Sequence, residues 1–132
     1  MKKRTFSVIF VISLILLLNG CVSYPTFSGI FGMEVQDLEK AKENGRTKMV
    51  ALSYDASFDK VLDILKENKL KTLQVNRKKG YIVAINFPKQ TDTTRVGIFF
   101  EPKENGSTLI TLSSLSTTAL DKAENIIFPG LS

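Results

Sequence analysis

Residue types that carry most enzyme chemistry are scarce in this chain of 132 residues. It contains no histidine, and Cys21 is its only cysteine. Without histidine the chain cannot form the Ser-His-acid or Cys-His pairs that activate nucleophiles. Zinc sites built from histidine and cysteine are excluded as well, and the sequence has no EF-hand loop or glycine-rich phosphate loop. We therefore expect no metal, no cofactor and no catalytic residue.

One short motif does match a catalytic pattern. Ser57 and Lys60 have the Ser-x-x-Lys spacing of penicillin-recognising enzymes. The Ser-Asp-Asn and Lys-Thr-Gly motifs that accompany it in those enzymes do not occur here. We therefore interpret Ser57 as a residue at the start of a helix. Glu101 and Glu104 flank Pro102, and we expect this segment to be a solvated loop. The two carboxylates of a glycosidase face each other across a cleft, so we do not interpret this pair as a glycosidase site.

The N-terminus has the charge and length of a secretory signal. Lys2, Lys3 and Arg4 precede Phe6 to Leu18, a stretch of 13 residues without charge. As a helix this stretch spans roughly 20 Å, whereas the hydrocarbon core of a bilayer is about 30 Å thick. The segment is therefore short for a membrane span and suits a cleaved signal peptide.

The segment ends in Leu18-Asn19-Gly20-Cys21, which resembles the lipobox of bacterial lipoproteins. The resemblance implies that residues 1–20 are a signal peptide, that the signal peptidase recognises Leu18 and Gly20, and that fatty acyl chains such as palmitate are attached at Cys21. Two or three such chains would hold the protein on a membrane, because each buried methylene contributes about 0.8 kcal/mol. An uncleaved amphiphilic anchor and a secreted protein with one unmodified thiol are the alternatives.

The same resemblance predicts a location. Val22 is not the aspartate that retains such lipoproteins at the inner membrane. We therefore expect the protein on the outer membrane, facing the periplasm, in a cell with two membranes, and on the outer surface in a cell with one.

Removing residues 1–20 deletes three cations and no acid, so the net charge falls from +5 to +2. The basic character is partly that of the signal, and we predict no nucleic-acid partner.

Residues 21–45 are predicted to form a lipidated tether. Its first part is richer in large apolar side chains than a flexible glycine-serine linker, and includes Phe27, Ile30 and Phe31. Either these side chains pack on the protein's own domain or at the lipid interface, or they dock a partner. Further along, Asp37 to Asn44 could form two helical turns.

Residues 46–132 suffice for one small domain. Their hydrophobic spacing predicts the order strand, helix, four strands, helix. The helices present apolar faces made of Phe58, Val61, Leu62 and Leu65, and of Leu120, Ala123 and Ile127. The predicted strands are Met49–Tyr54, Lys71–Asn76, Tyr81–Phe87, Arg95–Glu101 and Ser107–Leu115. Asp55 or Ser57 is the expected cap of the first helix, and Thr118 starts the second.

Short turns between the strands favour antiparallel pairing, and helices at the two ends of the run favour one helical layer. We predict an α+β, two-layer sandwich: a mostly antiparallel sheet of four to five strands with two helices on one face, in the order β-α-β-β-β-β-α. This order looks like that of small, uncharacterised bacterial lipoproteins. More loosely, it is similar to the helix-on-sheet modules of outer-membrane assembly lipoproteins such as BamC. The likeness implies no functional residue.

A basic cluster is the first candidate surface for contact with a partner or the membrane. Its members are Lys69, Lys71, Arg77, Lys78 and Lys79. Either they keep an exposed hairpin soluble, or they contact anionic lipid headgroups or cell-wall polymer.

The sheet offers two further candidate surfaces. One is the face turned away from the helices, which is bare, covered by the apolar tether or used by a partner. We expect this face to carry Gln74, Gly97, Phe99, Thr111 and Ser113. The helix side is expected to carry Leu73, Val75, Val96, Ile98, Ile110 and Leu112. The other candidate is an edge strand with unpaired backbone groups.

These features predict a lipid-anchored cell-envelope protein whose domain makes protein contacts or has a structural role. The membrane, through acylated Cys21, and another envelope protein are the expected partners. The alternative is a binding module for a small hydrophobic or lipidic ligand between helices and sheet. An enzyme that relies on serine, lysine or carboxylate chemistry alone is the third hypothesis.

Overall fold

Residues 35–89 and 94–132 are described by the computed structural model. They form a five-stranded antiparallel sheet and three helices, which confirms the predicted α+β class and the order β-α-β-β-β-β-α. The first elements are a short helix at residues 35–40 (α1), a 3₁₀ turn at Ala41–Asn44, β1 at Arg46–Val50 and α2 at Tyr54–Glu67. The remainder are β2 at Lys71–Asn76, β3 at Tyr81–Ile85, β4 at Val96–Pro102, β5 at Thr108–Ser113 and α3 at Thr117–Gly130.

The strands lie in the order β1-β5-β4-β3-β2, so β1 and β2 are the two edges of the sheet. Three hairpin-like pairs, β2–β3, β3–β4 and β4–β5, make up most of it, and β1 adds antiparallel to β5. The turns after β2 and β4 contain Gly80 and Gly106, each with φ of 77°. Glycine adopts this left-handed conformation without the steric cost that a Cβ brings.

α2 and α3 bury their apolar faces on the same side of the sheet. Phe58, Val61 and Leu65 of α2 are buried, as are Leu120 and Ile127 of α3, which confirms the predicted helical faces. From the sheet side the core receives Ile82, Ala84, Val96, Ile98, Phe100, Ile110 and Leu112. The ring centroids of Phe58 and Phe100 are 4.6 Å apart, which places an aromatic pair at the centre of this layer.

Both longer helices begin at serines that the sequence analysis did not select as caps. The Ser53 hydroxyl accepts from the backbone N–H of Ala56 at 3.2 Å, and the Ser116 hydroxyl accepts from Ala119 at 3.2 Å. Serine is a favoured cap because its hydroxyl satisfies one of the free N–H groups of the first turn. The chain must leave the sheet before Ser53, which is why β1 ends at Val50 and not at the predicted Tyr54.

The other face of the sheet is covered by α1. Val35 and Leu38 pack on Val83 and Phe99 and form a second, smaller core. The buried Ser113 hydroxyl donates to the Leu38 carbonyl at 2.6 Å. Residues 35–44, which the sequence assigned to the tether, therefore pack on the sheet, and the predicted helical turns of Asp37 to Asn44 are present.

The residues predicted for this second face do lie on it. Gly97 is beneath α1, because a Cβ added there would be 3.2 Å from the Leu38 Cβ. The structure shows α1 covering this face. The alternative of cover by the apolar stretch of the tether, residues 24–33, lies outside the described residues.

The prediction that Leu73 and Val75 pack beneath the helices is wrong. Their side chains are 40% and 49% exposed. The pairing of β2 with β3 shifts between Thr72 and Gln74, so Leu73 is an extra residue of a bulge with no direct partner. Val75 pairs with the core residue Ile82 but lies on the edge strand, at the margin of the helical layer. Periodicity predicts the face of a residue and carries no information on where a helical cover ends.

Candidate interaction surface

Ser57 has a structural role in the fold. It is fully buried in the first turn of α2, and its hydroxyl donates to the Tyr54 carbonyl at 2.9 Å. Lys60 is exposed one turn later on the same helix. The serine of the Ser-x-x-Lys match is therefore committed to the helix start, as the sequence analysis expected.

The acidic residues of the β4–β5 hairpin are exposed, as expected for a loop. Glu101 accepts a hydrogen bond from Lys103 at 2.6 Å. This bond, with the positive charge of Lys103, holds the pKa of Glu101 below its ordinary value. Glu104 is exposed at the turn. The hairpin end is a solvated, charged tip.

The five cations of the basic cluster follow β2 along its length and do not form one compact patch. Lys69 and Lys71 lie at the start of the strand, whereas Arg77, Lys78 and Lys79 follow its last residue. Six strand residues at about 3.3 Å each separate the two groups by roughly 20 Å. We call residues 69–79 the β2 edge.

Arg77 differs from the four lysines of the β2 edge because it is held by α2. Its guanidinium pairs with Asp55 at 3.1 Å and with Asp59, and it lies 4.5 Å from the centroid of the Phe58 ring. The bond to Asp59 is the largest cause of its raised pKa. Among the described residues, no ion pair involves Lys69, Lys71, Lys78 or Lys79. Arg77 therefore fixes the hairpin, and the lysines face solvent.

The Tyr54 hydroxyl also fixes this hairpin, since it donates to the Arg77 carbonyl. Burial raises the pKa of Tyr54 above its ordinary value, while the nearby charge of Arg77 lowers it and that of Asp55 raises it. Tyr54 and Arg77 together connect the start of α2 to the end of β2. The end of β2 is thus held against the start of α2.

The opposite edge, β1, is engaged by α3. Arg46 pairs with Asp121 at 3.2 Å and with Glu124 at 3.1 Å. The Lys48 ammonium donates to the Phe128 carbonyl at 3.0 Å. Cations that point inward from an edge strand oppose its pairing with another chain. Within residues 35–89 and 94–132, no helix side chain forms a hydrogen bond or an ion pair with Thr72 to Asn76.

The described residues also leave shallow clefts at the surface. One of about 300 Å³ lies where α1 meets the connection between β5 and α3, and Asp37, Leu38 and Leu115 contribute to its walls. Another of about 290 Å³ is lined by Val35, Lys79 and other residues. Val35, the first residue that the structure describes, therefore lies beside the β2–β3 hairpin.

Several residues selected from the sequence lie outside the described ranges. They are Leu18, Gly20 and Cys21 of the lipobox, and Phe27, Ile30 and Phe31 of the tether. Conversely, Leu73 and Val75, which we predicted to lie in the core, are exposed and become candidate contact residues. The sequence feature that could have identified them is the presence of cations on both sides of this short strand. Cations so close on both sides are unusual for a buried strand.

Within residues 35–89 and 94–132, no group of three or more metal-ligating side chains is close enough to hold an ion. None of the helices in the same ranges has the length and apolar character needed to cross a bilayer. No known protein family and no curated protein matches this sequence.

Proposed function

We propose that this chain is a lipid-anchored protein of the bacterial cell envelope whose folded domain is a non-catalytic interaction module. The anchor is the acylated Cys21, and the β2 edge is the docking surface. In a cell with two membranes the protein sits on the outer membrane and faces the periplasm. The observation that carries the interaction role is the exposure of Leu73 and Val75 on an edge strand whose counterpart is held by a helix.

The length of the tether supports this arrangement. Residues 21–34 separate the acylation site from α1, and fully extended they reach at most roughly 50 Å. The domain can therefore meet partners in the same membrane or in the adjacent layer of the envelope.

The anchor is tested by metabolic labelling with a clickable fatty acid. The wild-type chain should be labelled, and Cys21→Ser should abolish the label and leave a precursor that retains residues 1–20. Globomycin, which inhibits the lipoprotein signal peptidase, should also leave precursor. The matched control combines Cys21→Ser with Ser23→Cys, which keeps one thiol but moves it away from Leu18 and Gly20. Fatty-acid labelling of this control would contradict the anchor. So would release of the protein from membranes to the same extent in the wild type and in every variant.

The interaction role is tested by crosslinking in intact cells with the anchored chain. The wild-type protein should give a reproducible adduct that is lost when Leu73→Lys and Val75→Lys are combined. Met49→Lys is the matched control, because Met49 is a comparably exposed apolar residue on the β1 edge. An adduct that survives the β2 changes, or disappears equally in the β1 control, contradicts docking at the β2 edge.

A further inference from the structure

The charge of the β2 edge has one sign. Residues 69–79 contain five cations and no acid. Arg77 is compensated by Asp55 and Asp59, but the lysines are exposed and outside the ion pairs of the described chain. Positive charge is therefore present at both ends of the strand, and the centre from Thr72 to Asn76 is uncharged.

The centre of the strand has the features that bind another strand. An edge strand has backbone N–H and C=O groups on its outer side, and an added strand pairs with them while its alternate side chains meet exposed apolar groups. Leu73 and Val75 are such groups. After the bulge at Leu73, the polar residues Gln74 and Asn76 lie on either side of Val75 in the chain, so an added strand meets Val75 on one face and Leu73 at the bulge.

The distribution of charge discriminates between the possible occupants. A second copy of this chain would place basic ends beside basic ends in either strand direction, and like charges opposite each other destabilise a strand pair. The tether segment 24–33 contains no charged residue and would leave the lysines without counter-charges. A partner strand with carboxylates at its ends matches both the apolar centre and the basic ends.

We propose that β2 accepts an extended, acidic segment of a partner protein as a sixth strand of the sheet. Apolar side chains of the segment contact Val75 and the bulged Leu73. Asp or Glu residues toward its two ends pair with Lys71 and with Lys78. This inference rests on the proposed interaction role and names the chemistry of the partner.

The test is selection from a displayed library of random linear peptides. The bait is the chain from residue 22 onward, which keeps the complete core of residues 35–132. Enriched peptides should carry acidic residues around a centre of alternating β-branched or aromatic residues, and should lack proline there. Their affinity should decrease as salt concentration rises, because the contributing charges are exposed.

Variants of the bait locate the binding site for a synthetic copy of an enriched peptide. Combining Lys71→Glu with Lys78→Glu should weaken binding about tenfold, since each change replaces an attraction by a repulsion. The matched control, Lys40→Glu with Lys60→Glu, changes the net charge equally on exposed helical positions. It should change the affinity less than about twofold. Thermal unfolding followed by circular dichroism should confirm that all baits are folded.

Four results overturn the proposal. The first is enrichment of peptides without acidic bias, and the second is enrichment of acidic peptides whose binding the Lys71 and Lys78 changes leave intact. Another is a dimer of the bait that dissociates when Val75 is changed to Lys, because this result assigns the β2 edge to a second copy of the chain. The last is binding that appears only after residues 22–34 are removed, which assigns the edge to the tether. None of these depends on acylation, so failure here and failure of the anchor are distinguishable.

Discussion

The two edges of the sheet are built differently. At β1, Arg46 and Lys48 point toward α3 and are held by its acidic side chains and its last carbonyl groups. At β2, the helix α2 holds only the end of the strand, through Arg77, and the central residues Leu73 and Val75 are exposed. Edge strands left open are prone to pair with other chains, and proteins commonly block them. β1 is therefore blocked by cations held against α3, whereas β2 keeps an exposed apolar centre between flanking lysines, and this difference gives the domain a directional docking surface.

The largest expected difference between the edges is in packing, and a matched pair of valines measures it. Val50 of β1 is 3% exposed, whereas Val75 of β2 is 49% exposed. Val50→Ala should lower the free energy of unfolding by about 2 kcal/mol, from lost burial and the cavity that remains. Val75→Ala should lower it by no more than about 0.5 kcal/mol. Urea unfolding followed by circular dichroism measures both, and equal losses would mean that β2 is covered in the folded protein.

A somewhat smaller effect is expected at the contact between α1 and the sheet. Ser113→Ala removes the donor to the Leu38 carbonyl and leaves that buried acceptor without its partner. The free energy of unfolding should fall by about 1.5 kcal/mol. Hydrogen exchange should show faster exchange in α1, while β2 exchanges as in the wild type. Unchanged exchange in α1 would contradict the assignment of residues 35–44 to the folded domain.

The smallest effect concerns the bond that fixes the end of β2. Because burial raises the pKa of Tyr54, the stabilising contribution of the neutral phenol is complete below the unfolded pKa of about 10. It is lost as the pH rises through the higher folded pKa. Ultraviolet absorbance of the phenolate should show a late-titrating tyrosine that Tyr54→Phe removes. Titration of all tyrosines at the ordinary pKa would contradict the burial of the Tyr54 hydroxyl beside the β2–β3 hairpin.

Hydrophobic spacing predicted most of the fold, and the exceptions have local causes. The helical faces around Phe58 and Ile127 followed directly from periodicity, because a buried helix face must repeat every three to four residues. β3 ends earlier than predicted, at Ile85, since Asn86 has a φ of 70° and interrupts the strand. The α1 segment was underestimated because six helical residues with two buried side chains give almost no periodic signal.

The candidate surface was predictable only in part. The cations of the β2 edge are visible in the sequence, but the pairing of Arg77 with Asp55 and Asp59 depends on the α2 start lying beside the β2–β3 hairpin. That contact joins residues about 20 positions apart, and spacing does not reveal it. Nor does spacing reveal that a bulge at Leu73 leaves an apolar edge exposed. The ion pairs of Arg77 and the exposure of Leu73 both depend on how the helical layer overlaps the sheet.

Site-specific photocrosslinking in living cells tests the central claim most directly. A photoreactive amino acid is placed in the full-length chain at Val75 on the β2 edge or at Thr47, an exposed residue of β1. We expect a discrete adduct with one partner protein from position 75 and none from position 47. Absence of an adduct at position 75, or the same adduct from both edges, would contradict a docking surface at β2.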